Sequence, residues 1–252
     1  MILWPLGKVD EAAHLLDSAV SLARQSGHLA TVAWANAYAC RFAGICRRPG
    51  QARPHAEELL ELAHEHGLPM RLADGSFYHG WARWCAGDRA GQPEMHKGLA
   101  LYNTIDFRLF APLTGMLLAE CEAEAGRVEV GLATLDAQLA AGEQTGQRWF
   151  DAEMHRARGE LVLKMQPPDL AAAELAFIRA IEIARCQRTR TFELRAALSL
   201  AKLYLITGRH KVADELLVPA LVGFKPNPQT PEVQEVQWLL AMRNPAGTAK
   251  GA

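Results

Sequence analysis

No Cys-x-x-Cys pair occurs in this sequence, nor any apolar run approaching about 18 residues, nor a surplus of charge of one sign. Each absence excludes a class. Five cysteines, Cys40, Cys46, Cys85, Cys121 and Cys186, are odd in number and lack zinc-ligand spacing, so neither a disulfide framework nor a structural zinc site is expected. Buried thiols in a reducing compartment are the plainer reading. Without a long apolar run there is no membrane span to propose. The opening Met1-Ile-Leu-Trp-Pro-Leu-Gly-Lys has no basic leader and too short an apolar stretch for a secretory signal, so a cytoplasmic chain is expected. Lys+Arg 27 against Asp+Glu 28 gives a net charge of −1, which excludes a chain-wide attraction to polyanions.

Catalytic signatures are also missing. There is no G-x-x-x-x-G-K-[S/T] or G-x-G-x-x-G phosphate loop, and Gly7-Lys8 is followed by Val9 where Ser or Thr would be needed. No G-x-S-x-G elbow occurs. His64 and His66 lie two apart, and on a helix that spacing points them to different sides. The expectation is a chain that is not an enzyme, with no cofactor and no metal site.

What is present is alanine. The sequence holds 43 Ala against 11 Val and 7 Ile, a balance that favours helices over strands. A turn of Gly or Pro followed by an Ala/Leu-rich helix recurs six times, from Gly7, Pro49, Gly87, Gly126, Pro167 and Gly208, with a mean period of about 40 residues. The spacing A-x3-[L/F]-x2-A is intact at Ala12/Leu16/Ala19, Ala56/Leu60/Ala63, Ala173/Phe177/Ala180 and Ala213/Leu217/Ala220. It is weakened at Gly131/Leu135/Gln138 and barely kept at Pro93/Lys97/Ala100. Two small residues flanking a large one make a shallow seat for a neighbouring helix. Companion helices are expected at about 28–46, 70–86, 108–125, 148–165, 190–207 and 231–242. The fold expected is all-α, a right-handed α-solenoid of roughly twelve antiparallel helices. It is read as one repeat domain over residues 1–243 with a disordered tail over 244–252.

The copy Ala197-x2-Leu200-Ala201-x2-Tyr204, then Ala213-x3-Leu217-x2-Ala220, resembles the tetratricopeptide (TPR) pattern, with Ala in place of its Trp and Gly. The period is longer than the TPR's 34; HEAT and armadillo repeats share it but not the signature. The stretches Ala125–Asp136, Gly146–Leu161 and Phe192–Leu203, with Thr230-Pro-Glu-Val-Gln-Glu-Val, are similar to the C-terminal repeat region of bacterial proteins that join a cyclase domain to an AAA-type ATPase. The resemblance implies a non-enzymatic interaction scaffold from the regulatory end of such a signalling protein. In that family the catalytic domains lie N-terminal to the repeats and none is read in this sequence, so a fragment, a truncated gene or a stand-alone relic of such a protein is expected. The alternative is the repeat region of an ATPase-linked helix-turn-helix transcriptional regulator.

Transferring TPR groove positions nominates Tyr38, Arg41, His79, Arg83, Glu120, Glu153, Arg156, Glu160, Arg195 and Lys202 as a partner-binding concave face. The partner implied is a protein or peptide, either an acidic segment or an N-terminal cyclase or ATPase domain. Residues Arg179–Lys211 carry eight basic and two acidic side chains, with Arg185, Arg188, Arg190 and Arg195 around one turn, whereas Gly115–Glu160 has a local charge of −5. Nucleic acid is disfavoured, because no groove-reading motif accompanies the basic cluster. The stripe Phe77, Tyr78, Trp81 and Trp84 is read first as core packing between repeats.

Overall fold

The computed structural model describes residues 1–224 and 230–243. The expected tail, 244–252, lies outside the described residues. Twelve α-helices and no strand occur among the described residues, and consecutive helices pack on one another as in an α-solenoid. They are α1 Val9–Ser26, α2 Leu29–Cys46, α3 Pro49–His66, α4 Pro69–Cys85, α5 Gly91–Thr104 and α6 Ala111–Glu124. Then follow α7 Val128–Thr145, α8 Asp151–Leu163, α9 Leu170–Cys186, α10 Arg190–Ile206, α11 His210–Ala220 and α12 Pro231–Arg243. No helix among the described residues is long and apolar enough to cross a membrane.

The breakers act as the sequence suggested. Gly67 ends α3 with φ 63°, the left-handed conformation that only glycine adopts without steric cost. Arg47 takes the same conformation after α2, with φ 59°. Asp169 caps α9 by accepting from Ala172 N at 2.9 Å.

The chain divides into two compact units, Ala13–Arg148 and Trp149 onward, the second also containing Ile2–Ala12. In the first unit α2, α4 and α6 are inner helices, and α3, α5 and α7 are outer. Each inner helix packs on both of the others, including α2 on α6. Gly44 of α2 marks the meeting point, with Tyr78 of α4 and Leu113 and Leu117 of α6 around it. Inner helices are therefore buried nearly all round, and Phe77, Tyr78, Trp81 and Trp84 belong to that core.

Outer helices bury one stripe each. In α3 it is Ala52, Ala56, Leu59 and Ala63, with Leu60 only half-buried. In α5 it is Gly91, Met95, Gly98 and Tyr102, which corrects the register Pro93/Lys97/Ala100. The seat is built from glycines two residues earlier, and they bring α5 against the α4 backbone. A Cβ on Gly98 would lie 2.7 Å from Phe77 N and 2.8 Å from Ala73 O. In α1, Ala12, Val20 and Ala23 are buried, while Ala19 is exposed.

In the second unit α8 packs on α9 and α10, and α10 also meets α9, α11 and α12. The stripes Ala173/Phe177/Ala180 and Ala213/Leu217/Ala220 are buried as expected. The N-terminal segment is part of this unit. Trp4 is 2% exposed, its ring 6.0 Å from that of Phe192. Thr191 donates its hydroxyl to Trp4 O at 2.6 Å and its amide to Pro5 O at 3.0 Å. Two of the thiols expected to be buried, Cys85 and Cys186, are exposed at or beside helix C-termini.

Candidate functional site

The nominated residues fall into two sets, one in each unit, and most are engaged within the chain. Arg41 is a lone cation in the Ala-rich α2 and is 1% exposed. It donates to Asp74 Oδ1 at 2.6 Å, and Arg71 donates to Asp74 Oδ2 at 3.0 Å. The Tyr102 hydroxyl donates to the same carboxylate. Burial pushes the Asp74 carboxyl up from its ordinary value, against the opposing pull of Arg41, Arg71 and Tyr102. Burial is also the main reason the Tyr102 and Tyr78 hydroxyls are pushed up.

Around this cluster runs a ladder of rings. Trp34, half-exposed, stacks on Tyr38 at 5.5 Å; Tyr38 meets Phe110 edge-on at 6.1 Å. Phe110 packs on Phe107, and Phe107 on Tyr102 at 5.6 Å. The guanidinium of Arg41 lies 4.4 Å from the Phe110 ring centre and 5.6 Å from that of Phe107, while Arg71 lies 4.9 Å from Trp34.

Tyr102, Phe107 and Phe110 also form one wall of a cavity of about 290 Å³ between α5, α6 and α7. Its other walls are amides, hydroxyls and small residues, among them Asn103, Thr134, Gln138 and Gly142. Arg108 is the only charged side chain among the described residues that line it. Rings, neutral hydrogen-bonding groups and one cation are suited to holding a ligand; no carboxylate or imidazole stands in this lining to move a proton.

The other first-unit nominees serve as struts. His79 Nδ1 lies 2.7 Å from Glu94 Oε2, and Arg83 donates to Glu94 and, from Nε at 2.8 Å, to Asp88. Arg47 donates to Glu120 from both terminal guanidinium nitrogens, tying α6 to the end of α2.

In the second unit Glu153 is fully buried and Arg195 is 6% exposed. Arg195 donates to Glu153 at 3.2 Å and to Glu232 of α12 at 2.6 Å, and stacks 4.4 Å from Trp4. Burial works against its charge, but Glu232 and Glu153 override it and hold the pKa above the usual guanidinium value. Arg156 donates to Glu153 at 3.0 Å, and Glu160 accepts from Ser199 at 2.6 Å. Lys202, half-exposed, pairs with Glu235 of α12 at 2.7 Å.

An open groove lined by all ten nominees is therefore not what the side chains form. Arg41, Glu153 and Arg195 are buried, because α2, α8 and α10 each pack on their neighbours in their own unit. An acidic segment does meet Arg195 and Lys202, and it is the chain's own α12.

No family model matches the chain. It is similar to an uncharacterized protein of Rhizobium meliloti (strain 1021), 26% identical over 153 residues. That stretch is 60% of this chain and 15% of the other protein, which is several times longer.

The basic cluster is largely spent internally. Arg185 and Arg190 both reach Glu193, at 2.8 and 2.5 Å. Arg190 also donates to Val222 O at 2.7 Å, and Arg209 holds Glu174 through two bonds of 2.8 Å. Sequence reading missed Trp34, Arg71, Asp74, Tyr102, Phe107 and Phe110. One signal was available: an arginine amid alanines in α2 needs a buried partner, and the Arg71/Asp74 pair at i, i+3 supplies it.

Proposed function

We propose that this chain is the TPR-like regulatory region of a larger cytoplasmic signalling protein of the cyclase–ATPase type, acting by contact with protein and not by turnover. The observation that carries the reading is the seat of α12 on α10. Two cations two helical turns apart on α10, Arg195 and Lys202, hold two acidic residues three apart on α12, Glu232 and Glu235. In this reading the face of α10 that carries Arg195 and Lys202 takes acidic helices by charge. The several-fold longer relative is in keeping with a region that works inside a larger protein.

Two measurements test this together. The purified chain, given ATP or GTP with Mg²⁺, is expected to yield neither hydrolysis nor cyclic nucleotide above a buffer blank. A synthetic peptide of residues 230–243, added in trans to a chain ending at residue 224 so that its own α12 does not fill the seat, is expected to bind saturably and to weaken as salt rises. Turnover that survives repurification, or no peptide binding into the millimolar range, contradicts the reading.

A further inference from the structure

We propose that the cavity between α5, α6 and α7 is a binding site for a small aromatic carboxylate. The inference is independent of the scaffold reading, because it concerns a different unit and a different surface.

The cavity lies where the repeat's packing rule breaks. At the third seat position, where α3, α9 and α11 carry the buried Ala63, Ala180 and Ala220, α7 carries Gln138. Its side chain lies over Gly115 of α6, where a Cβ would come 2.8 Å from Gln138 Cγ. A half-buried amide thus stands in a seat that closes with a methyl group in α3, α9 and α11 and with no side chain in α5. Departures from a fold's own rule concentrate where function asks for them.

Shape and chemistry narrow the ligand. About 290 Å³ sits at the lower edge of small-molecule sites, room for one ring and a short acidic arm but not for a nucleotide. Tyr102, Phe107 and Phe110 offer a ring-stacking wall. Arg41 lies against Phe107 and Phe110, and its cluster with Arg71 and Asp74 holds two cations against one anion, an excess of +1. The lining itself has Arg108 and no carboxylate, within a region whose sequence is otherwise acidic. Asp106, outside the lining, takes only the Nε of Arg108, at 2.6 Å. The remaining guanidinium nitrogens are available to an incoming carboxylate, and Asn103 and Gln138 can bond ring substituents. A ring with a carboxylate occurs both in free aromatic acids and at the C-terminus of a peptide ending in Phe or Tyr.

The test is calorimetric titration of the full chain with 3-phenylpropionate, 3-phenylpropionamide and the tripeptide Gly-Gly-Phe. The acid is expected to saturate one site and to bind about tenfold more tightly than the amide. Arg108→Gln, at an exposed position, should erase that difference. Ala141→Trp, also exposed and on the rim, should abolish binding with the helical circular dichroism unchanged; Gln144→Trp provides a second block should the first variant fail to fold. Tighter binding of Gly-Gly-Phe than of phenylpropionate assigns the site to peptide termini, and weaker binding to free acids. The proposal is overturned if neither acid saturates into the millimolar range, if the amide binds as well as the acid, or if the blocked variants bind unchanged.

Discussion

Burial decides what each charged residue does. Arg195 and Lys202 lie two helical turns apart on α10, and spacing alone does not separate them. The packing does. Arg195→Ala removes a cation from between Glu153 and Glu232 and uncovers Trp4, leaving a fully buried carboxylate with Arg156 as its remaining guanidinium described at bonding distance. A loss of about 3–5 kcal/mol is expected in urea denaturation. Lys202→Ala gives up a half-exposed pair and should change stability by less than about 1 kcal/mol. Equal effects of the two substitutions would remove the distinction. Arg41→Met tests the other cluster and carries a pH signature. Losing Arg41 leaves Asp74 with Arg71 and Tyr102, so a carboxyl already pushed up by burial rises further. A folded-state pKa above the unfolded value means that stability falls as pH rises through the window above about pH 4. The penalty of Arg41→Met, about 3–5 kcal/mol near neutral pH, should therefore shrink toward pH 5. A penalty independent of pH would show that Asp74 does not carry the charge.

Helices were the most legible level of this sequence, and their partners the least. Alanine content, glycine breakers and the small-large-small spacing placed all twelve helices, with ends shifted by a few residues at most. They also placed the buried stripes of α9 and α11. The α5 stripe was misplaced by two residues because its seat uses glycine, which a search keyed on alanine passes over. The meeting of α2 with α6 left no sequence trace either: period and pattern report which face is apolar, not which of several apolar faces it meets. Glycine substitutions separate a true seat from a looser one. Gly98→Ala drives a methyl into the α4 backbone and should cost about 2–3 kcal/mol or more. Gly115→Ala meets only the movable side chain of Gln138 and gains helix propensity, so its melting should stay within about 1 kcal/mol of the parent. If Gly98→Ala proves as mild as Gly115→Ala, the close α4–α5 approach is wrong.

At the scale of the whole molecule, a simple repeat array has independent ends, since each repeat touches only its neighbours. This chain departs from that rule. Ile2–Ala12, which includes the start of α1, belongs to the C-terminal unit, with Trp4 seated on α10. No local pattern announces a contact across 187 residues of sequence. Burying Trp4 contributes on the order of 3–5 kcal/mol by the usual cost of removing a core Trp. One backbone amide reports on this directly. Thr191 lies in the first turn of α10, where amides have no intrahelical acceptor, and its N–H is bonded to Pro5 O at 3.0 Å. Native-state hydrogen exchange at Thr191 should be slow in the full chain, with protection close to that of the α10 interior, and fast in Trp4→Ala. Fast exchange at Thr191 in the unmodified chain would contradict the account, because it would mean that the N-terminal segment is not part of the C-terminal unit.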